Sequence, residues 1–413
     1  MAGDQMQSQN SELGNMTDIN STAINGTSYN PLCDENTYCE PWEDYIDRVH
    51  ALIYPEPGEW VLIVVYALTF FVGLIGNILV CFAIWRNKNM RTITNMFIVN
   101  LSVADLAVII LCLPSALLID VTETWYLGNT FCKIHIFLQS IFISVSVLTL
   151  SSISVERWYA ICHPLRFHST VGRARTIIII VWTVSILLAV PELIFSTVIP
   201  WNARTVLWSS CGPYLWNTRD QTIYQVFLMI AVYFVPMILM GFTYMQIALV
   251  LWRGHIPGAS TSRNSRSRQP MLNNRHQRES TDGEDQMDGR RKAAKMLVAV
   301  VFMFGICFFP IHLYNILRYT GSNKNMSHSA ENIFVLTAHW AIFFNSCVNP
   351  VIYNFMSDKF RKEFKVAVLA CLSCGRRTGP WNRGDMYRVT FNSGRTISVR
   401  YSNHTQLPMQ NCV

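Results

Sequence analysis

Long apolar stretches alternate with short polar segments along most of the chain. Each stretch holds about 20 residues or more, the length that an α-helix needs to cross roughly 30 Å of hydrocarbon. Such runs are too long and too apolar for the helices of a water-soluble core. The pattern predicts an all-α fold, a bundle of seven transmembrane helices, at Trp60–Trp85, Met96–Ile119, Cys132–Val155, Thr176–Ile199, Thr222–Trp252, Ala293–Tyr319 and Ala330–Met356.

The placement of basic residues predicts how this bundle is oriented. Charged residues make up only 14% of the 413 residues, whereas soluble domains carry about 25%. Lys and Arg concentrate in the segments after the first, third, fifth and seventh stretches, among them Arg86, Lys88, Arg173 and Arg175. Cytoplasmic loops are enriched in these residues. The N-terminus is therefore predicted outside the plasma membrane and the C-terminus inside.

Residues 1–59 form a predicted extracellular tail. They hold eleven acidic residues and one arginine. Three Asn-x-Ser/Thr acceptors, Asn15, Asn20 and Asn25, are predicted glycosylation sites. The negative charge could attract a basic ligand or could serve solubility alone. Cys33 and Cys39 also lie here, and the sequence does not decide whether they form a bridge.

The predicted cytoplasmic segments differ in composition. The third cytoplasmic loop, 253–292, is rich in Ser, Arg, Asn and Gln, and a flexible polar segment is expected. Residues 357–370 combine a basic face with an apolar face, which suits a helix on the membrane lipids. Residues 371–413 are predicted to be a disordered tail. Its first cysteines, Cys371 and Cys374, are candidates for palmitoylation.

Two cysteines are placed to tie a loop to a helix. Cys132 lies at the outer end of the third stretch, and Cys211 lies in the second extracellular loop. Disulfides persist outside the cell, so a bond between them is predicted. No Cys or His spacing resembles a metal site, and no nucleophile accompanies a base. The sequence therefore does not predict an enzyme, and it gives no sign of nucleic-acid binding.

Polar residues at the centre of the membrane form the first candidate site. Asp105 lies in the middle of the second stretch, and ionisable groups at this depth are costly and tend to be functional. Ser146, Asn345 and Asn349 lie at comparable depth in other stretches. Together they could hold a sodium ion that keeps Asp105 ionised. The alternative is a hydrogen-bonded polar cluster around a protonated Asp105.

The end of the third stretch carries a second candidate feature. Glu156 and Arg157 are adjacent at the predicted cytoplasmic edge. A carboxylate beside a guanidinium can form an ion pair that opens when another partner competes for it. An anchor that follows the positive-inside rule is the alternative interpretation.

The order and spacing of the motifs resemble the rhodopsin-like class (class A) of G-protein-coupled receptors over about residues 60–370. Within that class the chain looks like an orexin or allatotropin receptor, for example in Arg157-Trp158-Tyr159, where Trp replaces the usual Tyr. The motifs are Gly76-Asn77, Leu101 to Asp105, Glu156-Arg157-Trp158, Trp182, Pro236 with Tyr244, Phe304-x-x-Cys307-Phe308-x-Pro310, and Asn349-Pro350-Val351-Ile352-Tyr353.

The resemblance implies a ligand pocket. Orexin receptors carry a Gln, an Asn and a His that match Gln139, Asn315 and His339 of this chain. The predicted pocket also includes Tyr224, Ile143 and Phe343, the last in place of a Tyr. Gly212 stands where orexin receptors tend to have an acid, and Glu156 where an Asp is more usual. These departures favour an invertebrate relative of the orexin receptors.

The resemblance also implies a mechanism. An amidated peptide would enter from outside with its C-terminus deep in a neutral pocket. A heterotrimeric G protein would then bind the opened cytoplasmic face. The expected G protein is of the Gq class, which leads to calcium release. Arrestin and receptor kinases are further expected partners. No cofactor is expected beyond the sodium ion. The expected switch residues are Glu156, Arg157, Tyr244, Phe308, Pro310, Asn349, Pro350 and Tyr353.

Three alternatives differ in what they require. A neuropeptide Y or RFamide-type receptor is the rival within the class, although Arg157-Trp158 and His339 argue against it. An amine receptor would place an Asp where Gln139 stands. A secondary transporter would usually show inverted repeats between its halves, and the sequence shows none.

Overall fold

The computed structural model describes residues 57–164, 170–200, 208–253, 273–319 and 327–373, with residues 46, 47 and 50 and the segments 387–390 and 396–399. The chain divides at Tyr54, and the fold below is that of the second unit, Pro55–Val413. The predicted sites Asn15, Asn20, Asn25, Cys33, Cys39 and Cys374 lie outside the described residues.

Seven helices in the described residues are long and apolar enough to cross a membrane, which confirms the predicted bundle. Two of them, the second and the fifth, are each interrupted by a π-helical segment. The helices are α1 (Pro57–Arg86), α2 (Ile93–Ala107, Val108–Cys112 and Leu113–Thr122), α3 (Gly128–Cys162), α4 (Val171–Phe195), α5 (Thr218–Leu228, Met229–Phe234 and Val235–Arg253), α6 (Asn273–Tyr319) and α7 (His328–Met356).

Most predicted boundaries differ from the structure by a few residues, as at the end of the third span, where α3 continues from Val155 to Cys162. Two further differences have a clear cause. The fourth span was expected to reach Ile199, but α4 ends at Phe195 and the chain then forms a strand. The sixth span was expected from Ala293, but α6 begins at Asn273, inside the predicted third loop. In both cases hydropathy marks the apolar part of a segment and not the point at which its backbone changes.

The bundle exposes apolar side chains and buries polar ones. Phe71, Ile238 and Phe355 are more than half exposed on its outside, whereas Asn77 and Asp105 are fully buried between helices. Because the core also contains apolar side chains, this distribution, with large apolar residues both inside and outside, differs from that in a water-soluble protein, in which apolar burial drives folding. It is the distribution expected where hydrocarbon surrounds the helices and every buried polar group needs an internal partner. The chain is therefore a multi-pass membrane protein.

A chain of hydrogen bonds joins three helices at the middle of the bundle. The indole Nε1 of Trp182 on α4 donates to Asn100 Oδ1 on α2 at 2.9 Å. Asn100 Nδ2 in turn donates to Thr149 Oγ1 on α3 at 2.8 Å. Each polar group thus has a partner where no water can supply one. The bonds fix the positions of α2 and α4 against α3.

Both π-helical segments precede a proline. Proline has no N–H and its ring clashes with the carbonyl four residues earlier. Those carbonyls belong to Ile110, before Pro114, and to Val232, before Pro236, and both residues lie inside the π-helical segments. The widened turn accommodates the ring without breaking the helix. Such turns often occur at functional sites, and the one in α5 borders the cavity described below.

A two-stranded hairpin covers one end of the bundle, called here the hairpin end. Strands β1 (Thr197–Pro200) and β2 (Ser209–Gly212) are antiparallel. Ser209 exchanges two hydrogen bonds of 2.8 Å with the backbone of Trp125, in the loop between α2 and α3. A disulfide joins Cys211 of β2 to Cys132 of α3, as the sequence predicted. The hairpin is thus fixed to the ends of α2 and α3.

Replacement of the two cysteines, Cys132→Ser with Cys211→Ser, is expected to free this hairpin. The bond closes a loop of 79 residues, and a loop of that size is stabilised by roughly 4 kcal/mol in the chain-entropy account. We expect a lower unfolding temperature of the purified protein and less protein at the cell surface. Cys81→Ser, at a half-buried free thiol, is the matched control. Equal unfolding temperatures of all three proteins would contradict this expectation.

The opposite end of the bundle, called here the α8 end, carries a further helix, α8 (Asp358–Ser373). Its apolar face is buried through Phe360 and Phe364, while its basic residues point away from the core. Glu363 accepts from Asn87 Nδ2 at 3.0 Å and lies 3.6 Å from the Arg86 guanidinium. The helix overlaps the predicted surface segment 357–370, and its last turn contains Cys371.

Two short strands lie in the segment that was predicted to be a disordered tail. β3 (Tyr387–Thr390) pairs in antiparallel register with β4 (Thr396–Val399). The strands are rich in β-branched and aromatic residues, which favour extended backbone. A hairpin of this size is marginally stable alone in water.

Candidate functional site

A cavity of about 450 Å³ lies in the half of the bundle nearer the hairpin end. Residues of α3, α5 and α6 form most of its wall, with one residue each from α4 and α7. Much of the lining is apolar, for example Ile136, Ile143, Val232 and Ile311. The volume is in the range of roughly 300–1,000 Å³ that is typical of ligand sites.

Two side-chain amides face this cavity without a partner. Gln139 of α3 and Asn315 of α6, which the resemblance assigns to the ligand pocket, both line it. Neither side chain makes a hydrogen bond to another described residue, although both are half-buried. An amide group presents donors and an acceptor. The pair can therefore bind a ligand that offers both kinds of group.

The cavity also contains a carboxylate. Glu192 of α4 lines it and is buried, and its Oε1 accepts a hydrogen bond of 3.1 Å from Gln225 Nε2 on α5. The expectation of a neutral pocket considered only the residues that matched known receptors, and Glu192 was not one of them.

Aromatic side chains form the part of the cavity that is deepest in the bundle. The rings of Phe304 and Phe308 lie 4.6 Å apart, and both residues line the cavity. The Tyr233 ring lies 4.4 Å from that of His312, and the Tyr233 hydroxyl donates to the Gly305 carbonyl oxygen at 3.1 Å. A ligand that enters the cavity would thus contact the part of α6 just before Pro310.

Two predicted pocket residues, His339 and Phe343, lie in a separate cluster between α1, α2 and α7. The Asp120 carboxylate accepts from the Tyr66 hydroxyl at 2.6 Å and lies 2.9 Å from His339 Nδ1. The Phe343 ring packs against that of Tyr66, with centroids 5.9 Å apart. His339 and Phe343 are not among the residues that line the cavity, although the His339 side chain is 40% exposed.

Tyr224, the remaining predicted pocket residue, faces α4. Its hydroxyl donates to the carbonyl oxygen of Leu188 at 2.7 Å. Its ring stacks on Trp216 with a centroid distance of 5.2 Å. The structure therefore brings together Gln139, Asn315 and Ile143 of the predicted set and places the other three around them.

The pair at the foot of α3 is formed. Arg157 donates through Nε to Glu156 Oε2 at 2.8 Å and through Nη2 to Oε1 at 3.2 Å. Thr94 of α2 donates its hydroxyl to the same Oε2 at 2.9 Å. Arg157 is thus held by its neighbour, and α2 holds that neighbour in place. Of the two interpretations, the geometry agrees with an ion pair.

Two further predicted switch residues lie in the core at the α8 end of the bundle, whereas Phe308 lines the cavity. Tyr244 of α5 and Tyr353 of α7 are both buried. The Tyr353 ring stacks on Phe360 of α8 at 5.4 Å, and its hydroxyl has no hydrogen-bond partner in the part of the chain that the structure describes. In α1, a Cβ added at Gly76 would lie 2.8 Å from the Pro350 side chain, so only glycine permits α1 to approach α7 this closely.

The polar cluster at mid-depth presents oxygen atoms to a small space. The Asp105 carboxylate accepts from Asn349 Nδ2 at 2.9 Å and from Ser146 Oγ at 3.5 Å. The carbonyl oxygens of the Asn345 and Asn349 side chains are buried and accept no hydrogen bond from a described residue. A carboxylate with further neutral oxygens is the donor set that hard cations prefer. The residues present therefore fit a sodium ion.

Sequence reasoning missed Glu192, Asp120, His312 and Gln225. The signal was present for the first, since an acid inside a predicted apolar stretch is costly and tends to be functional. Asp120 lies one residue beyond the predicted second span. His312 and Gln225 are polar residues of spans whose inward faces only the folded bundle identifies.

Two comparisons with known proteins bear on this arrangement. Residues 76–353 match the family described as 7 transmembrane receptor (rhodopsin family). The chain is also 30% identical over 381 residues to a QRFP-like peptide receptor of Branchiostoma floridae, which covers 88% of this chain and 91% of the relative. The matched family region contains the cavity, the Asp105 cluster and the Glu156–Arg157 pair.

Proposed function

Because the chain belongs to the rhodopsin family of seven-transmembrane receptors, we propose that it is a plasma-membrane receptor for an extracellular, C-terminally amidated peptide. Proteins of this family are receptors and not enzymes. The peptide would enter at the hairpin end, and a heterotrimeric G protein would bind at the α8 end. The acidic N-terminal tail and the basic segments that follow α1, α3 and α5 support this orientation.

One observation carries the proposal, the pair of side-chain amides that face the cavity without a hydrogen-bond partner among the described residues. A peptide that ends in –CONH2 offers two N–H donors and one carbonyl acceptor. Gln139 and Asn315 offer the complementary groups from opposite helices, α3 and α6. A terminal carboxylate would instead bring a second negative charge into a cavity that already contains Glu192, at a large desolvation cost.

Two peptide classes are supported by different observations. The QRFP-like relative favours a peptide of the RFamide type. The matches at Gln139 and Asn315, together with Trp158 after Arg157, favour an orexin- or allatotropin-like peptide. Both classes share the amidated C-terminus on which the proposed contacts depend.

The route from the cavity to the G protein follows α6 and α3. A ligand against Phe308 would change the packing of Phe304 and the position of the α6 segment around Pro310. Movement of α6 relative to α3 would then compete with the Glu156–Arg157 pair at the far end. Tyr244, Tyr353, Asn349 and Pro350 would rearrange with it. The receptor would thus shift between two populations of the bundle, and coupling to the Gq class with calcium release is the proposed outcome.

The remaining features of the proposal concern regulation. A sodium ion held by Asp105, Ser146, Asn345 and Asn349 would supply a positive charge at the centre of the bundle. Arrestin and receptor kinases would act on the cytoplasmic tail. Palmitate on Cys371 and Cys374 would anchor α8 to the lipids. Glycans would occupy Asn15, Asn20 and Asn25.

Intracellular calcium in cells that express the tagged chain tests the proposal. The cells would be exposed to a panel of amidated peptides of the RFamide, orexin and allatotropin types. We expect a submicromolar response to one of these classes and none in cells without the receptor. If protein counted at the surface gave no response to any peptide, in calcium and in nucleotide exchange alike, the proposal would be wrong.

A further inference from the structure

Glu192 is the one charged side chain among the described residues that line the cavity, with histidine counted as neutral. It lies in the last turn of α4, and only 6% of its surface is exposed. A carboxylate at this depth is costly unless it is paired. The proposed contacts to Gln139 and Asn315 do not use it, so its presence in the cavity requires a separate explanation.

The structure gives this carboxylate a polar partner but no cation. Gln225 donates to Oε1 at 3.1 Å, and Oε2 receives no side-chain hydrogen bond from the described residues. No Lys, Arg or His in the described part of the chain forms an ion pair with Glu192. By contrast, the other buried acid at this end, Asp120, has both Tyr66 and His339. Of these two buried acids, Glu192 is thus the one without a cationic partner among the described residues, and a ligand could supply that cation.

We infer that Glu192 binds the guanidinium group of an arginine close to the C-terminus of the peptide, an inference that rests on the proposed amidated-peptide function. Carboxylate and guanidinium form two parallel charge-assisted hydrogen bonds. The amide oxygen of Gln225 is a further acceptor beside the carboxylate. The planar guanidinium of arginine has five N–H donors, so it satisfies the Glu192 carboxylate and the Gln225 oxygen better than the compact ammonium of lysine does.

The arrangement places two kinds of recognition in one cavity. Gln139 and Asn315 on α3 and α6 recognise the terminal amide, and Glu192 with Gln225 on α4 and α5 recognises the basic side chain. The apolar wall between them, with Val226 and Met229 of α5, takes the adjoining apolar part of the peptide. A peptide with an arginine within its last few residues can reach both polar groups inside a cavity of about 450 Å³.

The test uses the purified full-length chain and three small probes. These are N-acetyl-Arg-Phe-amide, its citrulline counterpart, which keeps the shape of arginine but has no charge, and N-acetyl-Arg-Phe with a free carboxyl end. The dissociation constant of each probe is taken from the dependence of the unfolding temperature on its concentration. The proteins are the wild type, Glu192→Gln, which can keep a hydrogen bond to Gln225, and Glu123→Gln as control. Glu123 is an exposed acid at the hairpin end.

The wild type is expected to bind the arginine amide about 10- to 100-fold more tightly than the citrulline amide, the range of a hydrogen bond to a charged group. In Glu192→Gln this ratio falls to about one, while Glu123→Gln retains it. Equal binding of the two amides by the wild type, or a ratio that survives in Glu192→Gln, overturns the inference. A preference for the amide over the free acid without a preference for arginine leaves the proposed function standing. Absence of binding by all three probes overturns both.

Discussion

Replacement of Asn315 or Gln139 by leucine is expected to weaken the response to the amidated peptide about 5- to 150-fold each. The reason is that a buried amide of the ligand left without its partner costs about 1–3 kcal/mol. Leucine keeps the approximate size of both side chains and removes only their donors and acceptor. Neither amide has another partner among the described residues, so no internal contact is lost with it. The measurement is the peptide concentration for half-maximal nucleotide exchange.

The matched control is Asn332→Leu, the same chemical change at an exposed position of α7 that does not line the cavity. It should respond as the wild type does. The free-acid form of the peptide supplies a second control, because the variants should lose most of the preference for the amide. If Asn315→Leu and Gln139→Leu both kept wild-type potency at matched surface expression, the proposed binding mode would be wrong.

Replacement of Glu156 by glutamine is expected to raise nucleotide exchange in the absence of any peptide. The change removes the charge that holds Arg157 through bonds of 2.8 and 3.2 Å. Arg157 is 26% exposed and Glu156 10%, so the pair is screened by solvent on one side and contributes about 1–2 kcal/mol. That energy corresponds to a shift of roughly 5- to 30-fold in the population that the G protein can bind.

A graded variant separates this mechanism from general destabilisation. Thr94→Val removes the single hydrogen bond from α2 to Glu156, and a smaller increase in basal exchange is expected. Both variants should keep the wild-type potency for the peptide within a few-fold, since the cavity is not altered. Basal exchange equal to that of the wild type in both would refute the role of the pair as a lock.

The seven helices could be predicted because one physical signal specifies them. A run of about 20 apolar residues has few structural alternatives in a chain of this length. The segment after Phe195 shows the limit of that signal, since Thr197 and Val198 are as compatible with a strand as with a helix, and the pairing with β2 decides between them. The start of α6 at Asn273 likewise depends on continuation of a helix into polar sequence.

The site could be predicted in part because motif spacing fixes where a residue lies along a helix. It does not fix the neighbour that a side chain chooses. His339 was expected in the ligand pocket, but its ring nitrogen Nδ1 lies 2.9 Å from the Asp120 carboxylate on α2. Glu192 could have been found from its burial cost alone, without any resemblance. Its relation to Gln225 could not, because that contact depends on how α4 packs against α5.

The most direct test of the proposed function is the rate of nucleotide exchange by a purified heterotrimeric G protein, with the receptor in lipid nanodiscs and a peptide that ends in Arg-Phe-amide. We expect the amidated peptide to accelerate exchange, and the same peptide with a free carboxyl end to do so only at much higher concentration. Asn315→Leu should remove this difference between the two forms. Equal action of both forms on the wild type, or no acceleration by any amidated peptide, would contradict the proposed function.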